Sequence, residues 1–262
     1  MSESEPGGKG SSAVAQENKD QIQKHIKDLL SEDYAVRAAS VRMLGKFGEE
    51  AAEALVDTLV KKPDHPGLVN FSDALAEIGK PSINVILHGF THIPEIRNVE
   101  DVYLLESFVE LLAPIADRRV AGPLLEQLAK LDRRMKKNHD KQVVHCCEAA
   151  KIKIHRILAG LGEKGGLEDL LAMLGDGRKR VRDGVVDALT RVGDRRALVP
   201  LVRLYDIEEH VSFSGAQFIK EAAREIARRE HVLADDKMFK DLAPAERAVL
   251  EKVLPKVKNG RE

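Results

Sequence analysis

The sequence predicts an all-α protein, a solenoid of about six antiparallel helix pairs closed by a C-terminal capping helix. Three observations carry this. Ala, Leu, Glu, Lys and Arg dominate the 262 residues, and all favour helix. Aromatics are only 4% and Trp is absent, so the core must be aliphatic. Most telling, two phrases recur. "DRRVAGPLL" at Asp117 returns as "DRRALVPLV" at Asp194, and Leu-x-x-apolar-Gly returns along the whole chain. Recurrence of this kind marks a repeat architecture.

The second phrase supplies the anchors. It ends at Gly48 ("LGKFG"), Gly79 ("LAEIG"), Gly162 ("LAGLG") and Gly193 ("LTRVG"), with Ala in the last place at Ala116 ("LAPIA"). A degenerate "IARRE" ending at Glu230 closes the series. Leu and the apolar residue three positions on share a helix face, and Gly accepts the left-handed backbone that stops the helix. Amphipathic runs such as "VRDGVVDALTRVG" lie upstream, with apolar residues at i, i+3, i+4 and i+7. Downstream, Asp117 and Asp194 stand where an N-cap carboxylate is favourable. Pro123 and Pro200 follow where a helix proper can begin.

First (A) helices are therefore expected over 21–30, 50–61, 81–90, 118–131, 164–174 and 195–205. Second (B) helices are expected over 34–47, 68–79, 101–115, 141–161, 179–192 and 215–230, and a last helix over 244–257. Residues 1–20, rich in Gly, Ser, Glu and Pro, read as a disordered tail. Residues 21–232 read as the repeat solenoid, and 233–262 as capping helix and tail.

"EDYAVRAASVRMLGKFG" and "GDGRKRVRDGVVDALTRVGDRRALVPLV" resemble the short-repeat HEAT-like proteins of the phycobilisome bilin lyase type. Asp176, Arg182, Leu189, Gly193, Asp194, Arg196 and Pro200 stand in that consensus order. The resemblance spans roughly residues 20–232, and repeats two to four depart from it at several positions. It implies a right-handed α-solenoid. It is specific for fold and weak for function, because the consensus residues maintain the stack.

Repeat lengths differ mainly in the A-to-B connections, with one long B helix over 141–161 besides. B-to-A joints are short, whereas A-to-B connections range from "SED" to "HIPEIRNVE" and "DIEEHVSFSG". Extra length thus maps to one rim, often the binding edge of a repeat protein. The rim is charged in blocks. Residues 130–141 carry six basic and two acidic side chains. Residues 92–101 carry three acidic and one basic, and 206–215 carry three acidic and none basic. An acidic–basic–acidic strip would dock a protein of opposite pattern, unless neighbouring loops pair with each other or are merely solvated. The candidate partner contacts are Arg133, Arg134, Lys136, Lys137 and His139 on the basic side, and Glu208, Glu209 and His210 on the acidic side.

Other chemistries find less support. The column six residues before each anchor reads Arg42, Asp73, Glu110, Arg156, Asp187 and Arg224. A phosphate-binding groove would accumulate one sign; mixed signs point to inter-repeat ion pairs. "GRKRVR" at 177–182 is a second basic cluster, but Arg182 falls on the consensus Arg. In "HDKQVVHCCEAA" at 139–150, His145, Cys146 and Cys147 lack ligand types at i+4, so no metal site is expected. The resemblance raises two enzyme readings. Deoxyhypusine hydroxylases on this fold bind di-iron through His-Glu dipeptides, and none of the nine histidines here precedes Glu. A bilin lyase or chaperone role stays open as an alternative, as does nucleic-acid binding.

No cofactor or catalytic residue is expected. Adjacent Cys146 and Cys147 cannot form a relaxed disulfide on a helix, and no apolar run spans a bilayer. With no apolar leader and a net charge of −1, the chain reads as a cytoplasmic protein without a membrane partner. The function expected is a non-catalytic scaffold or adaptor, holding a protein partner on the concave B-helix face and the A-to-B rim.

Overall fold

The computed structural model describes residues 9–93, 95–115, 117–137, 140–174 and 179–254. The protein is all-helical: thirteen α-helices and three short 3-10 turns, with no strand, occur among the described residues. In chain order they are α1 (Lys9–Asp28), α2 (Tyr34–Phe47), α3 (Glu49–Lys61), α4 (Leu68–Ile78), α5 (Lys80–Thr91), α6 (Val99–Leu112) and α7 (Ala121–Lys137). There follow α8 (Lys141–Gly160), α9 (Leu167–Met173), α10 (Lys179–Val192), α11 (Leu198–Glu209), α12 (Phe213–Arg229) and α13 (Pro244–Val253). No helix among the described residues is long and apolar enough to cross a membrane.

The chain forms two compact units within the stretch read as one solenoid. The first comprises residues 1–123 and 130–150, the second 124–129 and 151–262. In the first, α1, α3 and α5 pack successively, as do α2, α4 and α6, and each layer closes on the other. Leu29, Leu44, Leu55, Phe71, Phe90 and Phe108 are fully buried in it. In the second, α10 packs on α9 and α12, while α11 packs on α12 and α13. Its core gathers Val185, Leu189, Leu198, Leu201, Ala223, Ile226, Phe239 and Leu250.

Gly48, Gly79 and Gly162 carry positive φ (58°, 75° and 75°), so three anchors stop their helices as glycine permits. Gly193 is a correction, because its φ is not positive. Glycine is required there by crowding: a Cβ would lie 2.5 Å from the Leu189 carbonyl oxygen and 3.1 Å from Ile226 Cδ1. Arg229 then covers the end of α10, its guanidinium donating to the carbonyls of Thr190 at 2.8 Å and Gly193 at 2.5 Å.

The repeated Asp-Arg-Arg is a cap and a staple. Asp117 accepts from the Arg119 backbone N–H at 2.9 Å, and Asp194 from that of Arg196 at 3.0 Å. In both, the second Arg folds its guanidinium back onto the same carboxylate, Nη2 to Oδ2 at 2.7 and 2.9 Å. It also reaches the preceding odd-numbered helix: Arg119 to Asn84 of α5 at 3.0 Å, Arg196 to Glu168 of α9.

Two sequence expectations need correction here. The segment expected to be a disordered tail is helical from Lys9 onward. Residues 9–28 carry four Lys, three Gln and two Ala, which favour a helix anchored by buried Ile22, Ile26 and Leu29. The basic "DRRMKK" is not loop but the last turns of α7, where cations suit the helix dipole.

Candidate functional site

Twelve large apolar side chains are exposed among the described residues, and they are unevenly placed. Leu30, Tyr34 and Val36 flank the α1–α2 connection, Val60 and Val69 the α3–α4 connection, and Tyr103 lies in the first turns of α6. Ile207, Val211 and Phe213 flank the α11–α12 connection. Only Val14, Phe218 and Leu233 lie elsewhere. Tyr34 is 75% exposed, Val69 74%, Val211 75% and Phe213 87%. Four odd-to-even connections, α1–α2, α3–α4, α5–α6 and α11–α12, therefore display apolar side chains at or near them. The Gly-stopped α2–α3 and α4–α5 joints show none.

In the first unit, the α5–α6 connection meets the end of α7 and the start of α8. Arg97, Asn98, Val99, Glu100, Tyr103, Arg134, Asp140, Gln142 and Val143 line a cleft of about 480 Å3. Arg134 donates from Nη2 to the Arg97 carbonyl, and its Nε is buried without a hydrogen-bond partner. Asn98 and Asp101 form a reciprocal cap on α6, and Asp140 caps α8 through the Gln142 N–H at 2.8 Å. Arg133, Lys136 and Lys137 are exposed on α7, and Arg134 is half-buried. His139 lies outside the described residues.

In the second unit the expected acidic contacts separate. Glu208 is buried, 2% exposed, which corrects its place among surface contacts. It continues the face of Leu201, Leu204 and Tyr205 on α11 and packs against Gly215 of α12. A Cβ at Gly215 would lie 2.5 Å from Glu208 Oε1. Glu209 is half-buried and accepts from Lys252 Nζ at 2.9 Å and Tyr205 Oη at 3.0 Å. The Lys252 hydrogen bond, then that from Tyr205, holds the Glu209 carboxyl below the usual range. His210 is exposed, and its imidazole lies within 4.8 Å of the carboxylates of Asp206 and Glu209. That trio has ligand-type atoms, but Lys252 already neutralises its central carboxylate.

A largely buried ionic group escaped the sequence reading. On α8, Lys151 and His155 are 5% and 1% exposed, and both bind Asp169 of α9. Lys151 Nζ reaches Oδ1 at 2.7 Å and His155 Nε2 reaches Oδ2 at 2.5 Å. Burial pushes the Asp169 carboxyl up, but the hydrogen bonds from His155 and Lys151 outweigh it and hold it below its ordinary value. His155 Nδ1 is buried without a hydrogen-bond partner. Its ring edge abuts Gly166, where a Cβ would lie 2.5 Å from Nδ1. The trio ties α8 to α9 across the turn between them.

Cys147 is fully buried and Cys146 half-buried. Burial pushes both thiols up, Cys147 to about 11, so neither offers a thiolate for metal or nucleophilic chemistry at neutral pH. In the mixed-sign column, Arg156 Nε pairs with Asp187 Oδ2 at 3.2 Å. Arg224 Nε donates to the Val253 carbonyl at 2.7 Å. These two arginines hold helices to their neighbours. Comparison with models of known protein families and with curated proteins returned no match.

Proposed function

We propose that the chain is a HEAT-like α-solenoid acting as a non-catalytic interaction scaffold, and that its odd-to-even connections are the contact surface for a protein partner. The layered contacts within each unit, and a cap-and-staple repeated at Asp117 and Asp194, support the repeat reading.

The observation that carries the functional reading is the placement of the exposed apolar side chains. Exposed apolar groups gathered at one class of connection mark a surface used for association. At α11–α12, Ile207, Val211 and Phe213 occur within seven residues, and Asp206 and His210 are exposed beside them. Such a mixed apolar and polar edge has the composition of a protein interface.

The test is affinity capture from the native host with wild type and a Val211→Ser/Phe213→Ser variant, after nuclease treatment. A protein held by wild type and lost from the variant, with cross-links mapping to the α11–α12 connection, supports the reading. An eluate holding only nucleic acid, or an absorbing tetrapyrrole, overturns it.

A further inference from the structure

The cleft between the α5–α6 connection and the α7–α8 junction has an unbalanced polar lining. Its acids are largely committed. Asp101, next to the lining, accepts from the backbone N–H groups of Arg97 at 2.7 Å and Asn98 at 3.3 Å. Asp140 accepts from Gln142 N–H. Only Glu100 contributes an exposed carboxylate without such a task. The donors, in contrast, are unspent. The exposed guanidinium of Arg97 pairs with no acid among the described residues, and the Tyr103 hydroxyl has no hydrogen bond there. Arg134 uses Nη2 and leaves Nε buried and unpartnered.

The cations around this cleft are equally uncompensated. Arg133, Lys136, Lys137 and Lys141 are exposed and pair with no acid among the described residues. Lys137 lies three residues after Arg134, hence on the same side of α7. Both helix N-termini here are already capped by side chains, so the available donors belong to Arg97, Arg134 and Tyr103. An arginine pair beside an aromatic wall is suited to a planar carboxylate with some apolar stem.

We propose that this cleft seats a glutamate or aspartate side chain from an acidic segment of the partner protein, gripped by Arg97 and Arg134 against Tyr103. The proposal rests on the scaffold reading and names the partner's chemistry at one connection of the first unit. Arg134 already holds the cleft wall through the Arg97 carbonyl, so Arg97 is the residue whose side chain is free to engage the incoming acid. Arg133, Lys136 and Lys137 draw the same segment electrostatically without needing fixed contacts.

The experiment uses the full chain and fluorescein-labelled probes read by anisotropy. The probes are a Glu-Ala dodecapeptide, its Gln-Ala counterpart and a single-stranded oligonucleotide. Wild type is expected to bind the Glu-Ala peptide and not the Gln-Ala one. Arg97→Glu should weaken that binding about tenfold, the scale of a lost charge-assisted hydrogen bond. Lys46→Glu, an exposed charge reversal on α2, should leave it within twofold. Circular dichroism melts establish that each variant is folded. Equal binding by wild type and Arg97→Glu, no binding by wild type, or preference for the oligonucleotide would overturn the proposal. The Val211→Ser/Phe213→Ser variant should bind the peptide as wild type does. Its loss of the captured partner reports on the scaffold reading alone, so the two failures are separable.

Discussion

His155 Nε2 lies 2.5 Å from Asp169 Oδ2, while Lys151, one turn earlier on the same helix, reaches Oδ1 of the same carboxylate at 2.7 Å. One aspartate thus satisfies two polar groups that α8 carries into the interior. Replacing only the acid removes the carboxylate that the buried Lys151 and His155 share, which is costlier than replacing the set with apolar groups. Asp169→Asn should destabilise the fold by about 2 to 3 kcal/mol, read by urea denaturation at pH 7. The double variant Asp169→Leu/Lys151→Met should recover a good part of that loss. An Asp169→Asn chain as stable as wild type would show the carboxylate to be dispensable.

The same pair sets a pH dependence. The folded-state pKa of Asp169 is depressed, so the unfolded chain takes up its proton first as pH falls. The stabilisation is present above the ordinary aspartate range near about 4 and is lost as pH falls from there through the lower folded value. The stability gap between wild type and Asp169→Asn should therefore narrow below about pH 4. A gap that widened on acidification would reverse the sign and refute the assignment.

What the sequence made legible was local. Gly48, Gly79 and Gly162 were readable because a stop needs positive φ within one turn, and Asp117 and Asp194 because a cap acts over two residues. Gly193 follows the same phrase for another reason, a close approach to Ile226 that depends on α12. The basic run ending at Lys137 read as loop because charge hid its helical register. Lys151, His155 and Asp169 were missed because their contact spans the α8–α9 turn. A signal was present: Lys151 and His155 sit i+4 and i+8 from buried Cys147, on the face that also buries Ile154 and Leu158. Glu208 hid likewise, an acid at the register of Leu201 and Leu204.

Asp194 tests the cap-and-staple. Its carboxyl is held below the usual range first by the Arg196 side chain. Asp194→Ala removes the cap on the Arg196 N–H and frees the guanidinium that ties to Glu168. The expected loss is about 1 kcal/mol, measured as a drop in the urea midpoint at unchanged slope. Asp194→Asn, which retains an acceptor, should lose less. Equal losses for the two would place the effect in the ion pair and not the cap.

Glu208 and His210 should part company despite their shared connection. Glu208→Ala empties a buried polar site beside Gly215 and should cost about 1 to 3 kcal/mol. His210→Ala, at an exposed position, should stay within about 0.5 kcal/mol of wild type. Gly215→Val drives a branched side chain against Glu208 and should lower the melting temperature further than Glu208→Ala. If Glu208→Ala proved neutral in stability yet abolished partner capture, Glu208 would belong to the surface after all.

The two thiols give a kinetic readout of the same packing. Cys147 is fully buried with a pKa pushed to about 11, first by burial and then by the neighbouring Cys146. At pH 8 about one thiol in a thousand is ionised there, against roughly a quarter of a free cysteine. Iodoacetamide should therefore label Cys146 slowly and Cys147 only as the helix opens, with mass spectrometry resolving the two sites. In denaturing urea both should react at similar rates, because the burial that separates them does not survive unfolding. Rapid native labelling of Cys147 would mean that α8 opens far more readily than its buried face at Cys147, Ile154 and Leu158 implies.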